Sequence, residues 1–230
     1  MVLLLIKQSG AVKGILTERD IVRNCIVGKK NIFNALVEEV MSQPIITINR
    51  KKSVIDSCKL MKEKNIKKIP VSDDENEIVG IITMTDIVHN VDKLFPGNET
   101  NALFIRDIMA KNVFYSDYND LVVDVAALMK RVNVGSIIIM KKGVPVGVMT
   151  ERDIVKSCVI GQKNFVLVKT NEIMSSPILT TDQSIPVVEA AHLMKRKNIK
   201  KIPIKNNANK IEGIITQTDI VHNIQSLIPK

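Results

Sequence analysis

Internal repetition constrains this chain more than any other feature. Sliding the sequence along itself until Thr17 meets Thr150 brings Cys25 onto Cys158, Gly28 onto Gly161, Met41 onto Met174 and Pro44 onto Pro177, without a gap. The same offset lays Asn65-Ile-Lys-Lys-Ile-Pro70 on Asn198-Ile-Lys-Lys-Ile-Pro203, and Asp86-Ile-Val-His-Asn90 on Asp219-Ile-Val-His-Asn223. A second, shorter offset maps Thr17 onto Thr83 and Thr150 onto Thr216. The chain therefore reads as four repeats in two pairs, an architecture in which each repeat buries its apolar face against a neighbour.

The fourth repeat shows the plan most fully. Asn171 to Met174 closes a short helix, and Pro177 to Thr180 reads as a strand entered through proline. Ser184 to Lys197 carries apolar residues at helical spacing, with Pro186 in its first turn, where a missing N–H costs nothing. Ile202 to Ile204 and Ile211 to Thr216 are strands separated by a polar turn, and a helix follows from Asp219. The order is strand, helix, strand, strand, helix, a mixed α/β (α+β) fold. The repeats beginning near Val40 and Ile105 follow the same plan. The first lacks its strand and helix, because Met1 aligns with Val134.

The expected boundaries are residues 1–35, 36–97, 98–165 and 166–230. Modules of 1–97 and 98–230 meet in the Pro96-Gly97 linker. A truncated repeat leaves an apolar face to cover, which favours a homodimer or a larger homo-oligomer.

Each repeat closes on the same signature: Gly14-Ile-Leu-Thr-Glu-Arg-Asp20, Gly80-Ile-Ile-Thr-Met-Thr-Asp86, Gly147-Val-Met-Thr-Glu-Arg-Asp153 and Gly213-Ile-Ile-Thr-Gln-Thr-Asp219. Thr followed three residues later by a carboxylate at the start of an apolar-periodic helix is a capping box. With Met174-Ser-Ser-Pro177 at the entrance and Lys-Lys-Ile-Pro before the second strand, the chain resembles tandem cystathionine-beta-synthase (CBS) domains over essentially its whole length. The resemblance implies two paired modules whose clefts bind an adenine nucleotide (AMP, ADP, ATP or a related adenosyl compound) as a regulatory ligand. No cofactor is required, and a regulated protein partner reads the bound state.

On that resemblance Asp86 and Asp219 take the ribose, with Thr83, Thr85, Thr216 and Thr218 beside them. Thr17, Asp20, Thr150 and Asp153 are the corresponding residues of the first and third repeats. Lys67, Lys68, Lys200 and Lys201 are the phosphate candidates; the third repeat has Gly135 and Ser136 there instead. Arg19 and Arg152 reach phosphate or pair with their Glu18 and Glu151 neighbours, and the sequence leaves both open. Thr47 and Thr180 edge the adenine, with Tyr115 at that place in the third repeat. A cap and a ribose ligand are compatible roles for one carboxylate, and the second and fourth repeats carry the fullest set.

A formal charge of +9 and a pI near 9.4 favour anionic partners and make a nucleic-acid binder the rival class, with a ligand-free adaptor the third. Aromatic residues make up only 3%, too few for base-stacking platforms. His89 and His222 recur as isolated, equivalent residues expected on helix surfaces, and no Cys/His spacing suits a metal. No phosphate loop and no nucleophile–base arrangement points to an enzyme. The three cysteines read as buried thiols of a cytoplasmic protein, and no apolar run is long enough to span a membrane.

Overall fold

A computed structural model describes residues 3–8, 11–28, 30–94, 103–206 and 208–227. The chain divides into two compact units. Unit 1 combines residues 1–45 with 114–179, and unit 2 combines 46–113 with 180–230. The expected module boundary at 97/98 lies outside the described residues, and the compact units do not follow it. Unit 1 is built from the first and third repeats, and unit 2 from the second and fourth.

Shared cores account for this grouping. The helices Val54–Glu63, Val122–Arg131 and Val187–Lys197 bury Cys58 and Met61, Val125, Ala126 and Met129, and Ala190, Ala191 and Met194. That spacing gives one apolar stripe per helix. In unit 2 the stripes join Ile69, Ile87, Val88, Ile202, Ile215, Ile220 and Val221 in one aliphatic cluster drawn from both repeats. In unit 1, Val22, Cys25, Ile137, Ile139, Met149, Ile154 and Cys158 form the corresponding cluster. All three thiols are buried and free, and burial pushes the Cys58 thiol up to about 11.

Each repeat is centred on an antiparallel hairpin: Leu3–Gln8 with Ala11–Thr17, Lys68–Ser72 with Ile78–Thr83, Ser136–Lys141 with Val144–Thr150, and Lys201–Lys205 with Ile211–Thr216. Short parallel strands, Ile48–Asn49 and Tyr115–Asp117, add a third member in the second and third repeats. The strand expected at Pro177–Thr180 is instead a single parallel bridge between Thr181 and Ile204. The helix expected from Ser184 begins at Val187, with Pro186 extended at its N-cap rather than inside the first turn. Asn65, Asn133 and Asn198 take the left-handed conformation where the chain leaves each long helix for its strand, a role asparagine fills at low steric cost.

A short lead-in segment lies against the outer edge of three hairpins. Ser42 exchanges two backbone hydrogen bonds with Ile15, Ala110 with Ile214, and Ser175 with Val148, at 2.9–3.0 Å. The preceding methionine packs on the signature glycine. A Cβ on Gly14, Gly147 or Gly213 would meet the sulfur of Met41, Met174 or Met109 at 2.6–2.7 Å. These glycines are there because a methionine and a backbone carbonyl occupy the Cβ position. Gly147→Ala should therefore lower stability by about 1–3 kcal/mol in denaturant unfolding. Gly80→Ala, with open space at its Cβ, should stay within about 0.5 kcal/mol.

Candidate functional site

All four signatures form the same strand-to-helix turn. Thr17, Thr83, Thr150 and Thr216 are extended, at φ near −126° in the middle of their range, −125° to −127°. The threonine backbone N–H and hydroxyl both donate to Oδ2 of the aspartate three residues on, at 2.6–2.9 Å. The aspartate N–H returns a longer bond to the threonine oxygen, at 3.3–3.4 Å. Each box satisfies helix-end donors and fixes the carboxylate's orientation, an effect of about 1 kcal/mol per cap.

Because Oδ2 is consumed by the cap, any further acceptor capacity resides in Oδ1. Ser42 donates to Oδ1 of Asp20 at 2.8 Å. Oδ1 of Asp86, Asp153 and Asp219 has no hydrogen-bond partner among the described residues. Asp219 is half-buried, and desolvation raises its carboxyl pKa against the opposing pull of its Thr216 bonds and the His222 and Lys67 charges. Asp86 is exposed.

The two residues after each threonine interlock with those of the other repeat in the same unit. In unit 1, Arg19 Nε pairs with Glu151 at 3.1 Å and Arg152 Nε with Glu18 at 3.5 Å. In unit 2, Thr85 donates to the Gln217 side-chain oxygen at 2.9 Å, and Thr218 donates weakly to the Met84 sulfur at 3.5 Å. Arg19 and Arg152 each pair with a glutamate, on the opposite helix rather than its own. Thr85 and Thr218 face the partner helix in the same way. Gly135 belongs to this arrangement, since a Cβ there would come within 3.1 Å of Glu151 and 3.4 Å of Arg19. A lysine at that place, as in the second and fourth repeats, would crowd the ion pair.

Unit 2 gathers Thr47, Lys67, Lys68, Thr83, Thr85, Asp86, Thr180, Lys200, Lys201, Thr216, Thr218 and Asp219, while unit 1 holds Thr17, Arg19, Asp20, Thr150, Arg152 and Asp153. All four lysines are engaged in polar or electrostatic interactions, and the charge of Lys67 acts on Asp219 from the other repeat. Thr47 is exposed and Thr180 half-buried. A concavity of about 490 Å³ beside Tyr115, Asp120, Asp124 and Arg131 contains none of the candidate residues except the Tyr115 counterpart of Thr47 and Thr180.

Two polar groups with a shielded, unpartnered nitrogen escaped the sequence. Gln217 is buried, with its Nε2 unpartnered among the described residues. His222, expected on a surface, is half-buried with an unpartnered Nε2. Desolvation and then Lys62 lower its pKa, and Lys62 donates to its carbonyl as Lys195 does to that of His89. The signal was faint: the Lys–His carbonyl pairing follows the repeat offset, but only packing makes it visible. No cluster of three metal-ligating side chains occurs among the described residues, and no helix among them is long and apolar enough to cross a membrane.

A family model described as the CBS domain matches residues 37–93, 105–159 and 171–226. An uncharacterised protein of Methanopyrus kandleri is 33% identical over 121 residues, covering 52% of this chain and 62% of that protein. The chain thus spans somewhat less than two thirds of that relative. An uncharacterised protein of Methanocaldococcus jannaschii is 24% identical over 201 residues, covering 82% of this chain and 70% of the relative. A crystal structure from M. jannaschii, proposed as an archaeal homolog of g-AMPK, superposes with a TM-score of 0.82 at 23% identity, covering 96% of this chain and 87% of that one. A conserved protein from Pyrococcus horikoshii gives 0.67 at 18% identity, covering 94% and 87%. At these identities the structural likeness establishes the fold.

The ion pairs of unit 1 are directly testable. In a double-mutant cycle, Arg19→Ala and Glu151→Ala should show a coupling of about 0.5–1 kcal/mol, because both side chains are partly shielded from water. Gly135→Lys should abolish most of that coupling.

Proposed function

The chain belongs to the CBS-domain family, and from that premise we propose that it is a regulatory protein that binds an adenosyl ligand at the capped turns of unit 2. The single observation carrying this reading is the Asp219 carboxylate: half-buried, oriented through Oδ2 by Thr216, and with Oδ1 unpartnered among the described residues. Two vicinal ribose hydroxyls suit such an acceptor, since both donate, and a carboxylate accepts through several lone pairs. Asp86 offers the same acceptor in a more exposed setting. Lys67 and Lys68 together with Lys200 and Lys201 supply positive charge for phosphate, and Thr47 and Thr180 remain the adenine-edge candidates.

Ligand binding would bias the pose of the paired helices that Thr85–Gln217 and Thr218–Met84 hold together, and a protein partner would read that bias. Arg19 and Arg152, already paired with glutamates, are weaker phosphate candidates than the lysines. The turns of unit 1 rank lower on the same ground, and Asp20 also has its Oδ1 occupied by Ser42.

Titration calorimetry of the chain with AMP, ADP, ATP and S-adenosylmethionine tests this reading. At least one adenosyl compound should bind saturably, with about two sites per chain. Asp219→Asn should weaken its site about 10- to 100-fold, the loss of a hydrogen bond to a charged acceptor. No binding by any compound, or unchanged affinity in both Asp219→Asn and Asp86→Asn, would end the ribose assignment.

A pH series supplies the second check. Burial raises the Asp219 pKa, so below it the carboxyl is protonated and cannot accept from both hydroxyls. Affinity should fall as pH drops through that raised value, and ligand should draw the Asp219 titration back down. The ligand-free protein pays for burying the ionised form, so this contribution to stability should improve as pH falls through the same window.

A further inference from the structure

The second and fourth repeats clamp each other at the ends of their signature helices. Lys62, in the last turn of helix Val54–Glu63, donates to the carbonyl of His222 at 3.1 Å, where helix Gln217–His222 ends. Lys195, in the last turn of helix Val187–Lys197, donates to the carbonyl of His89 at 2.6 Å, where helix Met84–His89 ends. The carbonyls of a last helical turn have no partner within the helix, so a lysine ammonium from the facing repeat suits both places. Unit 1 shows the same bond from Lys130 to the carbonyl of Arg23, at 3.1 Å.

The two clamps of unit 2 differ at the imidazole. Of His89 and His222, only His222 has an enclosed ring nitrogen, Nε2, without a hydrogen-bond partner among the described residues. A neutral ring tolerates this, because an enclosed lone pair costs less than an enclosed charge. Protonation makes both ring nitrogens donors, and none of the described residues accepts from Nε2. Lys62 on the facing helix repels an imidazolium, Asp219 on its own helix attracts it, and Lys67, ahead of strand Lys68–Ser72, adds to the repulsion. Among the other elements packed on this helix, Met84–His89 carries Asp86, held by Thr83, and His89 itself. Val187–Lys197 has its Lys195 at the His89 carbonyl, Ile211–Thr216 carries Glu212, and Ile224–Leu227 has no charged side chain. Desolvation first and Lys62 second outweigh Asp219, so the ring stays neutral to lower pH than an ordinary histidine.

We propose that His222 is an acid-released latch between the second and fourth repeats. A proton taken up from solvent sets an imidazolium against the Lys62 ammonium, breaks the bond from Lys62 to the His222 carbonyl and frees the end of helix Gln217–His222. In an unfolded chain the same histidine takes up its proton at the ordinary value. The latch therefore contributes stability that is full above that value and is lost as pH falls through the lower folded one. His222 lies one helical turn beyond Asp219, so release also loosens the turn that carries this carboxylate. That last link rests on the proposed function; the latch itself does not.

The test is an NMR pH titration of the full chain without nucleotide. The chain has three histidines, and His89→Gln and His192→Gln assign their ring signals and, by elimination, that of His222. The His222 ring should titrate below the value it shows in the unfolded chain. Hydrogen-exchange protection of the Asn223 amide, which bonds back to Asp219 and Ile220, should fall at least about 5-fold with the same midpoint between about pH 7 and about pH 5. His222→Gln should abolish that step and His89→Gln should keep it. Asp219 is present in both variants, so its own titration does not account for the difference. Lys62→Met should raise the His222 midpoint and remove the step. A His222 ring that titrates at or above its unfolded value would overturn the proposal, and this is read without substituting His222 or Lys62. An Asn223 step that survives in His222→Gln, or a His222 midpoint unmoved by Lys62→Met, would overturn it as well. Because no nucleotide is present, failure of the latch is distinguished from failure of the ligand assignment.

Discussion

The capping box at the end of each signature strand is the interaction on which the rest depends. Threonine and aspartate satisfy each other's backbone and side-chain donors, so the strand ends and the helix begins at a defined residue. That geometry aims the next two side chains at the equivalent turn of another repeat. It also divides the work of the carboxylate: one oxygen holds the fold, and the other is left for a ligand, a lead-in serine or solvent. Under the proposed reading, structure and function share one side chain. For this reason an aspartate-to-alanine change would confound loss of a cap with loss of a ligand, and the asparagine variants are the more informative ones.

The two units solve the same crossing with different chemistry. Unit 1 uses reciprocal arginine–glutamate pairs and needs Gly135 to make room for one of them. Unit 2 uses Thr85, Gln217, Thr218 and Met84, and retains lysines where Gly135 would be. The charged crossing takes up the arginines of unit 1 in holding the fold. The neutral crossing leaves the local positive charge of unit 2 to act on Asp219 and on whatever approaches it. Glycine at 135 and arginine at 19 are thus two halves of one substitution pattern.

Much of this was readable from residues alone. Thr-x-x-Asp recurring ahead of apolar-periodic helices predicts the caps, and all four form. The i, i+1, i+4 burial of Ser57, Cys58 and Met61, and of Ala190, Ala191 and Met194, follows from helical spacing. The strand at Pro177–Thr180 did not form as expected, because pairing there is limited to Thr181 with Ile204. Periodicity reports which face a segment buries, and carries no information on how many ladder bonds it will make. The same limit hid His222, whose burial depends on what packs around the end of its helix.

By itself the sequence determined the repeat, the position of the four Thr-x-x-Asp caps and the carboxylates proposed to meet a ligand. These are local properties, set by residue type and spacing within a few turns of chain. Tertiary structure alone decided which repeats share a core, joining the first with the third and the second with the fourth. It also set Asp219 apart from Asp86 by burial. Those outcomes depend on contacts between residues far apart in the chain, and four near-identical signatures cannot announce which neighbour each will meet.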